Sequence, residues 1–346
     1  MNSPQRVLAA LNLQIPDRVP WVELAVTHEF ASKALGNDDY TPLELGLSLG
    51  LDGVGFAMHP PCYVEQAEAG GRSYIRDGLI HTESDLSLVD LPSTSDPAYW
   101  DPARRFVDGV GGRLATFLMT NIGWDPVLLS MGLAAFSYAL ADNPELVRRL
   151  LDMYTDWAAG WADRAARVGA DFVWFTDDVA YNTGPMFSPA VFAELFLPAG
   201  RKVARAVRGP WCFHSDGDLG PLMDALLSLG MNAVHPFDPG GMDIEDAKRR
   251  WGRRVCLIGN IDLRSTLTTA APQVAYDETA ARIRAVGRGG GYIVSSANCL
   301  AAYCNPENVR RMRRAIEENG WYDSDGAPGP PPSGATDAGR KRSDQP

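Results

Sequence analysis

Cysteine is scarce in this sequence, positive charge is in the minority, and no long apolar run occurs. Only 5 of 346 residues are Cys. The number is odd and the spacing irregular, which excludes a disulfide framework and fits reduced thiols or metal ligands in a cytoplasm. Lys and Arg total 32 against 43 Asp and Glu, a formal net charge of -11. That balance excludes a general binder of nucleic-acid phosphates, whose affinity rests on clustered Lys and Arg. It also disfavours an anionic membrane surface. Nothing approaches the roughly 18 apolar residues of a membrane span. The start, MNSPQRVLAAL, lacks the apolar core of a signal peptide. No GxGxxG or P-loop pattern follows an apolar run, and there is no serine nucleophile elbow. With 45% hydrophobic and 22% charged residues, the composition is that of a soluble globular protein.

Eight short apolar runs alternate with longer amphipathic segments. They span Val19 to Leu24, Gly53 to Phe56, Leu114 to Met119, Phe172 to Thr176, Trp211 to His214, Ala233 to Pro236, Val255 to Gly259 and Tyr292 to Ser296. They are rich in β-branched and aromatic residues and mostly lack alternation, as strands buried on both faces do. Helix starts lie between them. Asn143-Pro144-Glu145 pairs a capping side chain with Pro at the first helical position, and Ser188-Pro189 does the same, with Pro198 as a kink. Asp243, Pro272 and Pro306-Glu307 open three more. This alternation predicts a (β/α)8 barrel as one domain over residues 1–324, with an insertion at about 70–110 near the barrel mouth. A doubly wound open sheet is the competing topology. Residues 325–346, rich in Pro, Gly and Ser, read as a disordered tail.

In such a barrel the chemistry sits at the C-terminal strand ends. The residues there are Glu23, His59, Asn121, Asp177 with Asp178, His214 with Asp216 and Asp218, His235, Asn260 with Asp262, and Asn298 with Cys299. Three of the five His fall in this set. A turn through Gly217 can aim His214 and Asp216 at one point, and imidazole, carboxylate and a distant thiolate form a plausible zinc set that leaves a position open for substrate. The alternative is a turn in which Asp216 bonds the backbone above a packed His214. Asp177-Asp178 reads either as a carboxylate pair handling protons or a substrate hydroxyl, or as a cap of the segment that follows. Cys212 and Cys256, inside apolar runs, read as core.

Several segments carry a family likeness: RVLAALNLQIPDRVPWVEL, FTDDVAYNTGPMFSPAVFAELFLPAGRKV, FHSDGDLGPLMDALLSLGMNAVHPFDPGGMDIEDAKRRWG, VCLIGNIDLRSTLTTAAPQVA and GGGYIVSSANCLAAYCNPENVRRM. Together they resemble the uroporphyrinogen decarboxylase superfamily, which also holds the cobalamin-dependent methyltransferases. The resemblance implies the same (β/α)8 barrel. Decarboxylases of this family carry an Arg-rich RQAGRY-type stretch soon after the first strand, which pairs with substrate carboxylates. Here the matching stretch, VELAVTHEF, has no Arg, so an octa-anionic tetrapyrrole would lack its counter-charge. The methyltransferase branch has His-x-Cys after one strand and a further Cys after the last, all on zinc. Here these elements read His214-Ser215-Asp216 and Ala297-Asn298-Cys299.

The resemblance therefore implies a metal set of His214, Asp216 and Cys299, with one thiolate exchanged for a harder oxygen. Carboxylate donates less charge than thiolate, which leaves zinc a stronger Lewis acid and suits an oxygen leaving group. The expected reaction moves a methyl group from a small methylated substrate, a methyl ether among the candidates, to a corrinoid carried by a partner protein. The chain itself has no DxHxxG corrinoid signature, so cobalamin would come with that partner. Glu23, Asp178 and His235 are the expected proton-handling residues. Asp177, Asn260 and Asn298 are the expected substrate contacts. Two alternatives stay open: a metal-free lyase acting on a carboxylated small molecule, and a non-catalytic relative that binds a small molecule. The sequence leaves the oligomeric state open.

Overall fold

The computed structural model describes residues 1–69 and 72–332. Seven strands run in parallel pairings and alternate with helices: β1 (Gly53–Ala57), β2 (Ala115–Thr120), β3 (Phe172–Thr176), β4 (Trp211–His214), β5 (Ala233–His235), β6 (Cys256–Ile258) and β7 (Tyr292–Ile293). All seven follow expected apolar runs, and all but β1 are buried almost throughout. Continuous burial is what a parallel strand covered on both faces requires. The expectation of a parallel α/β fold of barrel type is met in strand type and alternation.

The chain divides into two compact units, with the division falling inside β1 and β2. One comprises Met1–Val54, Gly109–Thr116 and Asn232–Pro346. In it β6 pairs with β5 and with β7. The run at Val19 to Leu24, expected as a full strand, makes only single parallel bridges, Trp21 to Val294 and Val22 to Gly53. The reason is local. Pro20 has no N–H to give, and the Trp21 N–H goes to the Asp52 carboxylate at 2.9 Å instead. Asp52 is also held by Arg6 at 2.7 Å and Arg18 at 3.0 Å.

The other unit comprises Gly55–Asp108 and Phe117–Met231. Here β2, β3 and β4 pair in parallel, in register from Phe117↔Phe172 to Thr120↔Phe175 and from Val173↔Trp211 to Thr176↔His214. Trp124, Phe192 and Phe213 pack edge to face at 5.3 and 5.6 Å. The expected insertion begins earlier than the sequence suggested, with an antiparallel hairpin over Val64–Ala69 and Arg72–Gly78. Two 3-10 turns and the helix Asp101–Val110 follow.

Helix starts fall where capping chemistry put them. Asn143, Ser188, Asp243 and Asn305 each accept a backbone N–H from the first turn of their helix. The kink expected at Pro198 takes the form of a π-helical turn, Phe192–Phe196, just before the helix Leu197–Ala206. The tail reading needs correction at its start. Asp323 accepts the N–H groups of Asp325 and Ala327, and Pro328–Gly329 pairs with Trp321–Tyr322. A side-chain turn closes this return, and composition does not register such turns. The remainder of the tail, 333–346, lies outside the described residues. Among the described residues no single helix is long and apolar enough to cross a membrane.

Candidate metal and proton-transfer site

The register Thr176↔His214 sets the geometry of the site. It ends two neighbouring strands at one level, so the loops Asp177-Asp178-Val179 and Ser215-Asp216-Gly217 leave the sheet side by side. Three bonds join them. The Asp177 N–H donates to the His214 carbonyl at 3.0 Å, the Asp216 N–H to Asp178 Oδ1 at 2.8 Å and the Val179 N–H to Ser215 Oγ at 3.0 Å. Gly217 makes the turn, with φ at +88° and the Ala180 carbonyl so near that a Cβ would sit 2.6 Å from it.

This arrangement gathers Asp178, His214 and Asp216, whose ligand atoms all lie within 4.8 Å of one another. His214 Nε2 stands 3.8 Å from Asp178 Oδ1 and 3.8 Å from Asp216 Oδ1. His214 is buried, and both carboxylates keep partial contact with solvent. Ligands at about 2.1 Å around a tetrahedral zinc lie about 3.4 Å apart. The two imidazole–carboxylate spacings exceed that by about 0.4 Å, and the two carboxylates lie within 4.8 Å of each other. One imidazole and two carboxylates suit a divalent ion, and the set is harder than one with thiolates. Of the metal ligands expected from the sequence, His214 and Asp216 stand together, and Asp178 joins them. Cys299 lies in the first unit, half-buried.

Asp177 is held by backbone. Its side chain is fully buried and accepts four backbone N–H groups, from Ile122 (2.6 Å), Gly123 (3.2 Å), Trp124 (2.8 Å) and Asp125 (2.9 Å). It caps the helix Trp124–Met131 from across the sheet. Burial raises the proton affinity of its carboxyl and the N–H donors lower it. The sequence suggests a cap of the segment that follows; the structure makes Asp177 the cap of a helix that begins 53 positions earlier. Asp178 alone of the pair joins His214 and Asp216.

This cap delivers a residue that sequence reasoning missed. The Asp125 carboxyl is pushed up to about 7, first by burial and then by the like charge of Asp178. Asp125 lies in the first turn of a helix, where a carboxylate is ordinary, and no local signal separates it from a simple cap. Cys62 is pushed up to about 12 by burial and by Asp125 and Asp177. At this end of the same unit His59 Nδ1 lies 2.8 Å from Asn121 Oδ1, and the Asn121 amide donates to the Thr176 carbonyl.

The remaining predicted residues belong to the first unit. Glu23 is buried and accepts bonds from Trp21 Nε1 (2.6 Å), Ser296 N–H (3.1 Å), Ser296 Oγ (2.6 Å) and Ser295 Oγ (3.3 Å). Burial outweighs these donors and pushes its carboxyl up to about 7. His235 Nε2 lies 3.3 Å from the carbonyl of the same Ser296, so Glu23 and His235 meet at one residue. Asn260 is buried, and its amide donates to the Phe237 carbonyl at 2.8 Å. Asn298 is half-buried.

Comparison with known proteins bears on this geometry. The family profile for uroporphyrinogen decarboxylase (URO-D) matches residues 127–319. A methylated-thiol–coenzyme M methyltransferase of Methanosarcina mazei is 25% identical over 177 residues, 51% of this chain and 46% of that protein. A uroporphyrinogen decarboxylase of Pseudomonas fluorescens is 26% identical over 187 residues, 52% of this chain and 50% of that protein. The chain thus spans about half the length of these curated relatives. Among solved structures, a methyltransferase from Methanosarcina mazei superposes with a TM-score of 0.72 at 18% identity, covering 91% of this chain and 98% of that one. At that identity the likeness speaks for the fold.

Proposed function

The chain belongs to the uroporphyrinogen decarboxylase family, and from that premise we propose that it is a methyltransferase. In this reading it moves a methyl group from a small methylated substrate to a corrinoid on a partner protein. The observation that carries the reading is the cluster of Asp178, His214 and Asp216. These residues would hold a divalent ion, zinc in the first instance. Such an ion supplies Lewis acidity toward the heteroatom that loses the methyl group. With two carboxylates in place of thiolates, the set favours an oxygen leaving group, hence cleavage of a methyl ether. The similarity to a methylated-thiol methyltransferase supports methyl transfer as the reaction class. The sequence without Arg at VELAVTHEF argues against the tetrapyrrole decarboxylase.

The protein's own part is to fix the site. The register of β3 and β4 aligns the three ligands, and the Asp216 N–H holds Asp178 in place. Glu23, with its raised pKa, remains the proposed proton donor of the first unit, with His235 beside it at Ser296. Asn260 and Asn298 remain proposed substrate contacts. A lyase that handles protons without metal is the second reading, and it draws on that same Glu23.

The test is methyl transfer to free cob(I)alamin, followed as methylcobalamin, from a methoxylated aromatic and from a methyl thioether. The zinc-loaded protein and the chelator-stripped protein are compared. Transfer that needs zinc and disappears in His214→Ala is the expected result. Full turnover by metal-free protein would overturn the reading in favour of the lyase.

A further inference from the structure

His59 follows β1 in the segment Met58-His59-Pro60-Pro61-Cys62. The backbone on either side is fixed. The Met58 N–H donates to the Met119 carbonyl at 2.7 Å, and Thr120 Oγ1 donates to the Met58 carbonyl at 2.9 Å. Two prolines then stiffen the exit, and the Pro61 carbonyl accepts from the Tyr154 hydroxyl at 2.9 Å.

The ring is oriented as firmly as the backbone. The Asn121 amide nitrogen donates to the Thr176 carbonyl. Its oxygen therefore faces His59, because the flipped amide would set two oxygens against each other. An amide oxygen only accepts, so His59 Nδ1 carries the hydrogen of the 2.8 Å bond. The lone pair of the neutral ring is then on Nε2. Burial lowers the pKa of His59 below its usual value, while the Asn121 bond works the other way. The residue as a whole nonetheless keeps contact with solvent, its ring being partly desolvated. A histidine with one nitrogen bonded to the protein, a set tautomer and open access has the form of a base awaiting a ligand. The anchor of this relay, Thr176, is followed directly by Asp177 and Asp178. One strand end thus anchors the relay to His59 and carries Asp178 of the candidate metal site.

We propose that His59 is the acceptor for the proton of a thiol or hydroxyl group on the bound ligand, and that Asn121 is its positioning residue. The proposal rests on the methyl-transfer reading, in which that heteroatom is the one that gains or loses the methyl group. In the step, the X–H bond breaks with its electron pair left on X. A new N–H bond forms on Nε2, and the imidazolium keeps its Nδ1–H on Asn121. In the demethylating direction the same imidazolium returns the proton to X. The ligand is distinguished from its methylated form by whether it can donate to Nε2.

The experiment uses the full-length protein labelled with nitrogen-15 histidine, His59 being assigned by loss of its signal in His59→Gln. At neutral pH the spectrum should give the Nδ1-protonated tautomer for His59, and Asn121→Ala should turn it into a tautomer mixture. Mercaptoethanol is then added, and in a parallel sample its S-methyl counterpart, methylthioethanol. Mercaptoethanol should move the Nε2 resonance toward the protonated position while methylthioethanol leaves it in place. His59→Gln should weaken mercaptoethanol binding by about tenfold, the worth of one good hydrogen bond. An Nε2-protonated tautomer in the unaltered protein overturns the proposal, as does an equal response to both probes. Neither readout requires metal or methyl transfer. Protein that gives the expected spectra but transfers no methyl group refutes the functional reading alone, and zinc-dependent transfer with the opposite tautomer refutes the His59 proposal alone.

Discussion

Asp177 should be worth far more to stability than its neighbour Asp178, although the two look alike in sequence. Asp177 accepts four backbone N–H groups in a fully buried site. Asp178 accepts one from the backbone and is partly exposed. Asp177→Asn keeps the volume but leaves a single acceptor oxygen, and its new NH2 points a donor at donors. A hydrogen bond contributes about 0.5–1.5 kcal/mol, about 1.5–3 kcal/mol where the acceptor is ionised, and stranding a buried donor costs about 1–3 kcal/mol. Relaxation of Ile122 to Asp125 toward other partners recovers part of this, so a net loss of about 3–5 kcal/mol is expected. Asp178→Asn should cost less than about 1 kcal/mol, since its N–H bond survives on the remaining oxygen. The assay is urea denaturation of both variants, with hydrogen exchange at Ile122 to Asp125. In Asp177→Asn those four amides should exchange much faster while the strand amides of Phe172 to Phe175 stay protected. Equal denaturation midpoints for the two variants, or unchanged exchange at 122–125, would refute the assignment of Asp177 as the cap.

Three further outcomes are expected. The Glu23 carboxyl rises from 4.5 to about 7 on folding, so its contribution is complete below about pH 4.5 and is lost as pH rises through about 7. The change amounts to about 3 kcal/mol, and thermal melts from pH 4 to 8 should decline less steeply in Glu23→Gln than in the unaltered protein. Zinc titration should give about one ion per chain, with binding abolished in His214→Ala and retained in Asp216→Cys; the cysteine variant should shift preference from oxygen toward sulfur substrates. Deleting residues from Asp325 onward removes the pairing with Trp321–Tyr322 and the bond from the Gly289 N–H to the Gly326 carbonyl; the melting temperature should drop by a few degrees, for a loss of about 1–2 kcal/mol.

The sequence by itself determined the elements. Buried parallel strands demand unbroken apolar runs, so β2 to β7 could be read directly, and caps such as Asn143, Ser188 and Asp243 act within one helical turn of their own position. It also determined the pairing of His214 with Asp216, because two residues and one glycine turn suffice to bring them together. Only the tertiary structure decided which carboxylate of Asp177-Asp178 joins them. Adjacent residues leaving a strand point opposite ways, and strand register sends Asp178 to His214 and Asp177 to a helix 53 positions earlier. The same holds for His59 and Asn121, separated by 62 positions, and for Asp125, whose raised pKa comes from burial and from Asp178. Proton affinity and tautomer depend on burial and on partners brought in from distant segments. Neither leaves a periodicity or a spacing in the chain, so neither can be read before the chain is folded.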